Sequence, residues 1–173
     1  MWGTMRGVRD AVDMIIEQWR TQRPGIGPEP IGVVGRVSRL ESLLGKGIAD
    51  NFAKHGLGPW EFDVLATLRR AGEPFVRTVG SLQGSMMISS GTMTHRLDRL
   101  EQRALVGRAP DPNDRRGVLV RLTPEGLALV DEVVVTHLAT ERTLLAGLTQ
   151  AEQDQLAALL RTLLLHLGDT APE

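Results

Sequence analysis

The chain has 173 residues, 42% of them hydrophobic and 24% charged, which is typical of one soluble globular domain with its own core. It contains no cysteine, which excludes disulfides, thiol catalysis, thiolate metal sites and thiol-based redox sensing. The net charge of -1 argues against a uniformly basic nucleic-acid binder, and the absence of a signal-peptide pattern or an apolar run of about 18 residues favours a cytoplasmic location.

The first part of the chain predicts two helices separated by a break rich in proline and glycine. The first helix is expected over about residues 5–20, with apolar side chains from Val8 to Trp19 on one face. The second is expected over about 31–55, where six apolar residues keep helical spacing. Gly56 and Gly58 are expected to end it.

The middle of the chain predicts two helices, a short strand between them, and a further capped helix. A third helix is expected over about 59–71, followed by a short strand at 75–77. Thr78 can cap a short fourth helix, whose length Gly84 leaves open because glycine is a poor helix former. Ser89 can cap a fifth helix that runs to about Gln102.

The segment DPNDRRGVLVRLTPEG, Asp111 to Gly126, combines a turn, a strand and a helix start. Its first four residues are turn formers, and the alternation over 118–122 predicts a strand that pairs with a strand at 106–108. Thr123 is an N-cap before a helix over about 124–146. Thr149 and Glu152 form the capping-box pattern of a last helix.

Arginine is concentrated between Arg96 and Arg121, where seven arginines accompany four acids on an otherwise acidic chain. This local basic patch fits a nucleic-acid footprint. Short polar and cationic side chains on the fifth helix can approach base edges and phosphates, and Arg115 and Arg116 at the hairpin tip suit a groove. A solvated helix face and a solvated turn are the alternatives. The candidate DNA-binding residues are Ser90, Gly91, Thr92, Thr94, His95, Arg96, Arg99, Asp114, Arg115 and Arg116.

The order of these elements is that of a winged helix-turn-helix, in which the fifth helix reads the major groove. The segment SSGTMTHRLDRLEQRALVGRAPDPNDRRGVLVRLTPEGLALVD resembles the recognition helix and wing of the MarR family of bacterial transcription regulators. The resemblance implies that Asp114 and Arg116 orient each other and that Arg116 enters the minor groove. It also implies a mainly α fold with a small β-hairpin wing that dimerises through its N- and C-terminal helices.

This organisation divides the chain into four expected segments. Residues 1–30 would form an extra N-terminal helix and linker in a dimer and ligand lobe, and 31–58 would form a long helix of the dimer lobe. Residues 59–122 would form the winged helix-turn-helix lobe that binds DNA. Residues 123–173 would form C-terminal dimerisation helices.

The segments DAVDMIIEQWRTQRP and EFDVLATLRR resemble the urate-responsive (PecS/HucR-like) subgroup, which has an extra N-terminal helix. The resemblance implies a ligand site containing Trp19, Asp63, Arg96 and Arg108, with Arg70 as a further candidate. An indole can stack on planar urate, guanidinium groups can pair with its oxygens, and a carboxylate can accept from its N–H groups. The alternatives are that Trp19 is dimer core, that Asp63 pairs with a neighbouring arginine, and that Arg96 contacts only DNA.

The resulting hypothesis is a homodimeric repressor, released from a pseudo-palindromic operator by a small anionic ligand such as urate. The alternatives are the same regulator responding to a tricarboxylate or a phenolic acid, or a DNA-binding module without a ligand. An enzyme is not expected, because the sequence offers no phosphate-cradling glycine loop and no convincing nucleophile–base pair. The four histidines lack metal-ligand spacing, so neither a metal nor another cofactor is expected.

Overall fold

The structure is a computed structural model that describes residues 8–86 and 89–170. The described part contains seven helices and three short strands, in the predicted order. They are α1 (Ala11–Gln22), α2 (Ile31–Lys54), α3 (Pro59–Arg70), β1 (Val76–Thr78), α4 (Val79–Met86), α5 (Ser90–Gln102), β2 (Val106–Pro110), β3 (Val118–Leu122), α6 (Pro124–Leu144) and α7 (Gln150–His166). This architecture confirms the expected fold class, mainly α with a small β-hairpin wing.

The chain divides into two compact units, 1–47 and 48–173. In the first unit, Asp10 is the N-cap of α1, because its carboxylate accepts from the backbone N–H groups of Val12 and Asp13. Arg36 of α2 donates to both Asp10 and Asp13, and Val12 is buried against Gly35. The helix therefore begins later than the predicted residue 5; residues 5–7 lie outside the described part.

The core of the second unit is formed by α3, α4, α5, α6 and the sheet. Its fully buried side chains include Leu65 and Leu68 of α3, Leu82 of α4 and Leu97 of α5. The strand order is β1–β3–β2, and both neighbours of β3 are antiparallel to it. The β2–β3 hairpin is the wing. Its base is tied to α5 and α6 by the core, which leaves its tip free to project.

Several helix boundaries agree with the sequence expectations because the capping side chains form the expected hydrogen bonds. Thr78 Oγ1 accepts from the backbone N–H of Ser81, at the start of α4. Thr149 and Glu152 form the predicted capping box of α7. Helix α6 ends at Leu144, two residues before the predicted end.

The apolar stripes of α2 and α7 are only partly covered. Val33, Val37 and Leu40 of α2 are exposed, whereas Phe52, nearer the C-terminal end of α2, is buried. No residue of α7 is buried. Across 8–86 and 89–170, none of the helices is both long enough and apolar enough to cross a membrane.

Candidate nucleic-acid interface and ligand site

Helix α5 has a buried apolar face and an exposed polar one. Met93, Leu97 and Leu100 recur at three- and four-residue spacing and are fully buried, which fixes the rotation of the helix. Its N-terminus is capped by Ser89, whose hydroxyl accepts from the Thr92 backbone N–H. The outward face carries candidate residues named from the sequence: the short residues Ser90, Gly91, Thr92 and Thr94, and His95, are all exposed.

Two arginines on one flank of α5, and Arg103 at its C-cap, contact the first turn of α3. The guanidinium carbons of Arg96 and Arg99 lie 5.4 and 5.2 Å from the ring centroid of Trp60. Arg103 Nη1 lies 2.7 Å from Oε1 of Glu61, a buried carboxylate that also accepts from the backbone N–H of Gly58. The sequence analysis did not identify this arrangement, because neither Trp60 nor Glu61 was among its candidate residues.

The opposite flank of α5 is acidic and forms ion pairs with the wing. Arg108 of β2 lies 2.7 Å from Asp98 Oδ1 and also donates to both carboxylate oxygens of Glu101. The hydrogen bond from the Arg108 guanidinium lowers the pKa of Glu101. Arg108 was expected in the ligand site, and the structure shows it linking the wing to α5. The three-residue spacing of Asp98 and Glu101 was the available sequence signal for this contact.

The wing tip is closed by local hydrogen bonds that leave its arginines exposed. Asp111 donates its backbone N–H to the carbonyl of Gly117, and Gly117 donates to the carbonyl of Asp114. The Asp114 carboxylate accepts from the backbone N–H of Arg116 at 2.9 Å. The resemblance implied that Asp114 and Arg116 orient each other; the contact observed here joins the carboxylate to the backbone of Arg116.

A cleft of about 530 Å³ separates the wing tip from the helices. Its walls include Gly80 of α4, Thr94 of α5 and the wing residues Asp114, Arg116 and Val118. The exposed arginine of the tip and the polar face of α5 therefore border the same space. The wing tip therefore lies beside α5.

Three of the predicted ligand residues, Asp63, Arg70 and Arg96, lie near enough in the second unit for the two arginine charges to act on the Asp63 carboxylate. Partial burial raises the pKa of Asp63, while the nearby charges of Arg70, Arg96 and His137 act in the opposite direction. Asp63 and Arg70 both lie on α3, and the fold brings Arg96 of α5 towards them. Trp19 belongs to the first unit, where it is 44% exposed.

His137 adjoins this group and was given no role by sequence reasoning. Its ring lies 5.1 Å from the rings of both Phe52 and Phe62, and its Nε2 is 3.3 Å from Glu141. Its Nδ1 is buried and has no hydrogen-bond partner among the residues that the structure describes. Only the packing of α6 against α2 and α3 places this imidazole near Asp63.

Asp63→Asn is expected to raise the free energy of unfolding at neutral pH, because partial burial disfavours the charged carboxylate. The pKa of Asp63 in the folded protein lies above its ordinary value of 3.8. The free energy of unfolding therefore falls as pH rises from 3.8 through the folded pKa. The gain of the variant should therefore be largest above the folded pKa and vanish as pH falls towards 3.8. Urea denaturation of both proteins at several pH values measures it.

The matched control is Glu101→Gln, for which the opposite sign is expected. The pKa of Glu101 is lowered by Arg108, so its charged form stabilises the fold at neutral pH and this contribution is lost on acidification. Equal stabilities of Asp63→Asn and wild type across the pH range would contradict the assignment for Asp63.

Comparison with known proteins gives relatives that are DNA-binding regulators. The MarR family profile matches residues 58–118. The chain is 41% identical over 156 residues to the HTH-type transcriptional regulator PecS of Dickeya dadantii, covering 90% of this chain and 94% of that protein. Among solved structures, a mutant MarR from Escherichia coli in complex with operator DNA is 27% identical, with a TM-score of 0.71 over 80% of this chain and 98% of that one. Bordetella bronchiseptica BpsR, whose DNA binding is regulated by 6-hydroxynicotinic acid, is 30% identical, with a TM-score of 0.67 over 76% of this chain and 98% of that one.

Proposed function

Because this chain belongs to the MarR family of transcriptional regulators, we propose that it is a homodimeric repressor that a small anionic ligand, such as urate, releases from a pseudo-palindromic operator. It is a DNA-binding regulator and not an enzyme. Repression, the homodimer and the anionic ligand are the parts that we propose beyond the family assignment. We also propose that the protein acts in the cytoplasm, where it meets DNA.

The proposal that α5 and the wing bind DNA together is supported by the cleft that they share. Thr94 of α5 and Arg116 of the wing tip line it together. With α5 in the major groove, the exposed short side chains at its N-terminal end would face base edges. Arg115 and Arg116 would then meet the flanking minor groove, whose negative potential attracts a guanidinium.

The proposed homodimer is supported by the uncovered apolar side chains outside the winged helix. Helix α7 exposes Leu159, Leu163 and Leu164 and buries none of its residues. A soluble monomer rarely exposes an apolar patch of this kind. We assign the segments 1–30, 31–58 and 123–173 to dimerisation and 59–122 to DNA binding. Two-fold symmetry then predicts half-sites about one helical turn apart.

The ligand proposal is supported by the group around Asp63. Two guanidinium groups, from Arg70 and Arg96, act on a partly buried carboxylate. Such a set can hold a planar anion by pairing arginine with its oxygens and the carboxylate with its N–H groups. The resemblance adds Trp19 and Arg108 to this site. The ligand of BpsR, 6-hydroxynicotinic acid, is also a planar heteroaromatic acid, which supports this ligand class.

The proposed mechanism is competition for Arg96. A ligand that draws this guanidinium towards Asp63 changes a side chain of the helix that reads DNA. Ligand and operator then favour different arrangements of α5, so each weakens the binding of the other by the same factor.

Urate is therefore expected to bind the free protein more tightly than the protein bound to its operator. The test titrates urate calorimetrically into purified protein, alone and saturated with the intergenic DNA beside its own gene. A coupling of about 1–3 kcal/mol, or about 5- to 150-fold in affinity, is the usual range for such regulation. Equal urate affinities in the two titrations would contradict the mechanism.

Two variants and a ligand panel complete this experiment. Asp63→Asn and Trp19→Phe should retain operator binding and lose response to urate; dissociation of the dimer in Trp19→Phe would instead assign Trp19 to the dimer core. Thermal-shift measurements with urate, citrate, aconitate and phenolic acids identify the ligand class. Operator affinity indifferent to all of them would favour the ligand-independent DNA-binding module.

A further inference from the structure

Trp60 contacts two arginines of the reading helix at once. It lies in the first turn of α3, where its ring is half-buried and packs against the core. The guanidinium carbons of Arg96 and Arg99 lie within 5.5 Å of the ring centroid, at 5.4 and 5.2 Å. Both distances fall within the range of cation–π attraction. Packing against the core therefore accounts for only one part of the environment of this ring.

The position of the ring is fixed by the next residue along α3. Glu61 is buried and forms the 2.7 Å ion pair with Arg103, the C-cap residue of α5, which lies one turn beyond Arg99. Glu61 also accepts from the backbone N–H of Gly58. This pair ties the C-terminal end of α5 to the start of α3, so that Trp60 lies under the two preceding arginines.

A neutral aromatic ring orients an arginine in a different way than a carboxylate does. The charges of Arg103 and Arg108 are compensated by Glu61 and by Asp98 and Glu101. An aromatic face orients a guanidinium without cancelling its charge, and the N–H groups at the edge of the plane stay available to phosphate or guanine. Restricting the rotamers of a side chain before binding also reduces the entropy lost when the complex forms.

We propose that Trp60 is a positioning residue for DNA binding, which holds Arg96 and Arg99 of the reading helix in place while leaving their charge available to the operator. This inference rests on the proposed binding of DNA by α5. It adds a specific partner on α3 to the contacts that set the affinity of the reading helix.

The first test measures operator affinity by fluorescence anisotropy at low salt for wild type, Trp60→Phe and Trp60→Leu. Trp60→Leu keeps an apolar side chain and removes the aromatic face, and we expect about 5- to 20-fold weaker binding. Trp60→Phe keeps a weaker aromatic face and should lose about two- to fivefold. Undiminished affinity in Trp60→Leu would overturn the proposal, whereas failure of the wild type to bind would contradict the proposed function itself.

A double-mutant cycle separates positioning from packing. In the Arg96→Gln/Arg99→Gln background, Trp60→Leu should cost less than about twofold, because the groups that it positions are gone. The same factor in both backgrounds would show that Trp60 acts only through packing and would overturn the proposal. Phe75→Leu is the matched control: it removes the cation–π contact with Arg69, and operator affinity should stay within about twofold of wild type.

If Trp60→Leu does not fold, the proposal can be tested by a change at Trp60 that preserves the shape of the side chain. Incorporating 5-fluorotryptophan into the Trp2→Phe/Trp19→Phe variant alters only Trp60 and weakens the negative potential of its face. Compared with the same variant carrying ordinary tryptophan, operator affinity should fall about twofold. Equal affinities of the two preparations would overturn the proposal.

Discussion

Gly126→Ala is expected to lower the free energy of unfolding by about 3 kcal/mol, the upper end of the usual cost of overpacking. A Cβ atom at Gly126 would lie 2.0 Å from the carbonyl oxygen of Leu105 and 2.9 Å from its carbonyl carbon. The obstructing atoms belong to the backbone, so a change of rotamer cannot relieve the clash.

The required shift would disturb the connection between the wing and α6. The Thr123 backbone N–H donates to the carbonyl of Leu105, and the Thr123 hydroxyl donates to the carbonyl of Ala104. That hydroxyl also accepts from the backbone N–H of Gly126 at 2.9 Å. Moving Gly126 away from Leu105 therefore strains the N-cap of α6 and the strand start at the same place.

Thermal denaturation measures the effect, and Gly84→Ala is its control. Loss of about 3 kcal/mol corresponds to a fall of roughly 6–12 °C in Tm for a chain of this size. Gly84 lies within α4 and has no atom within 4 Å of an added Cβ, so alanine there should stabilise by up to about 1 kcal/mol. Equal Tm values for Gly126→Ala and wild type would refute the close backbone approach.

Arg116→Ala is expected to weaken operator binding by about 1–3 kcal/mol, or about 5- to 150-fold. Arg116 is exposed at the wing tip, and the turn fixes its backbone through the carboxylate of Asp114. The turn therefore restrains the backbone from which the Arg116 guanidinium projects. Thr94 of α5 borders the same cleft as Arg116. Fluorescence anisotropy with the operator and with random DNA of equal length measures the change.

Arg142→Ala is the control for Arg116→Ala, because it also removes one positive charge. Arg142 is an exposed arginine in the last turn of α6, outside the winged-helix elements. Its removal should change operator affinity by less than about twofold. If Arg116→Ala behaves like Arg142→Ala, the wing tip does not enter a groove. A larger loss on the operator than on random DNA would show that the wing contributes to specificity.

Local sequence signals predicted helix starts well where one capping side chain determines the first residue of the helix. Ser89, Thr123 and Thr149 mark helix starts because each hydroxyl accepts from the N–H group three residues later. The start of α1 was predicted too early, because apolar spacing extends upstream of the cap at Asp10. Apolar periodicity identifies a helical face, but the cap determines where the helix begins.

The partners of charged side chains could not be predicted in the same way. Arg96, Arg99, Arg103 and Arg108 were all available to DNA or ligand in the sequence. The fold gives two of them carboxylates and two of them an aromatic ring. These partners are separated by up to 42 residues along the chain, except for the acids near Arg108, so no local pattern indicates them.

The sequence by itself therefore determined the winged-helix fold, the capped helix α5 and the arginine-tipped wing, because caps, turns and apolar spacing act over a few residues. Only the tertiary structure decided which of the arginines are paired with carboxylates. Packing of α3 against α5 places Trp60 and Glu61 beside one flank, and pairing of β2 with β3 brings Arg108 to the other. Charge on a side chain is a local property, whereas its compensation depends on what the fold brings within hydrogen-bond distance.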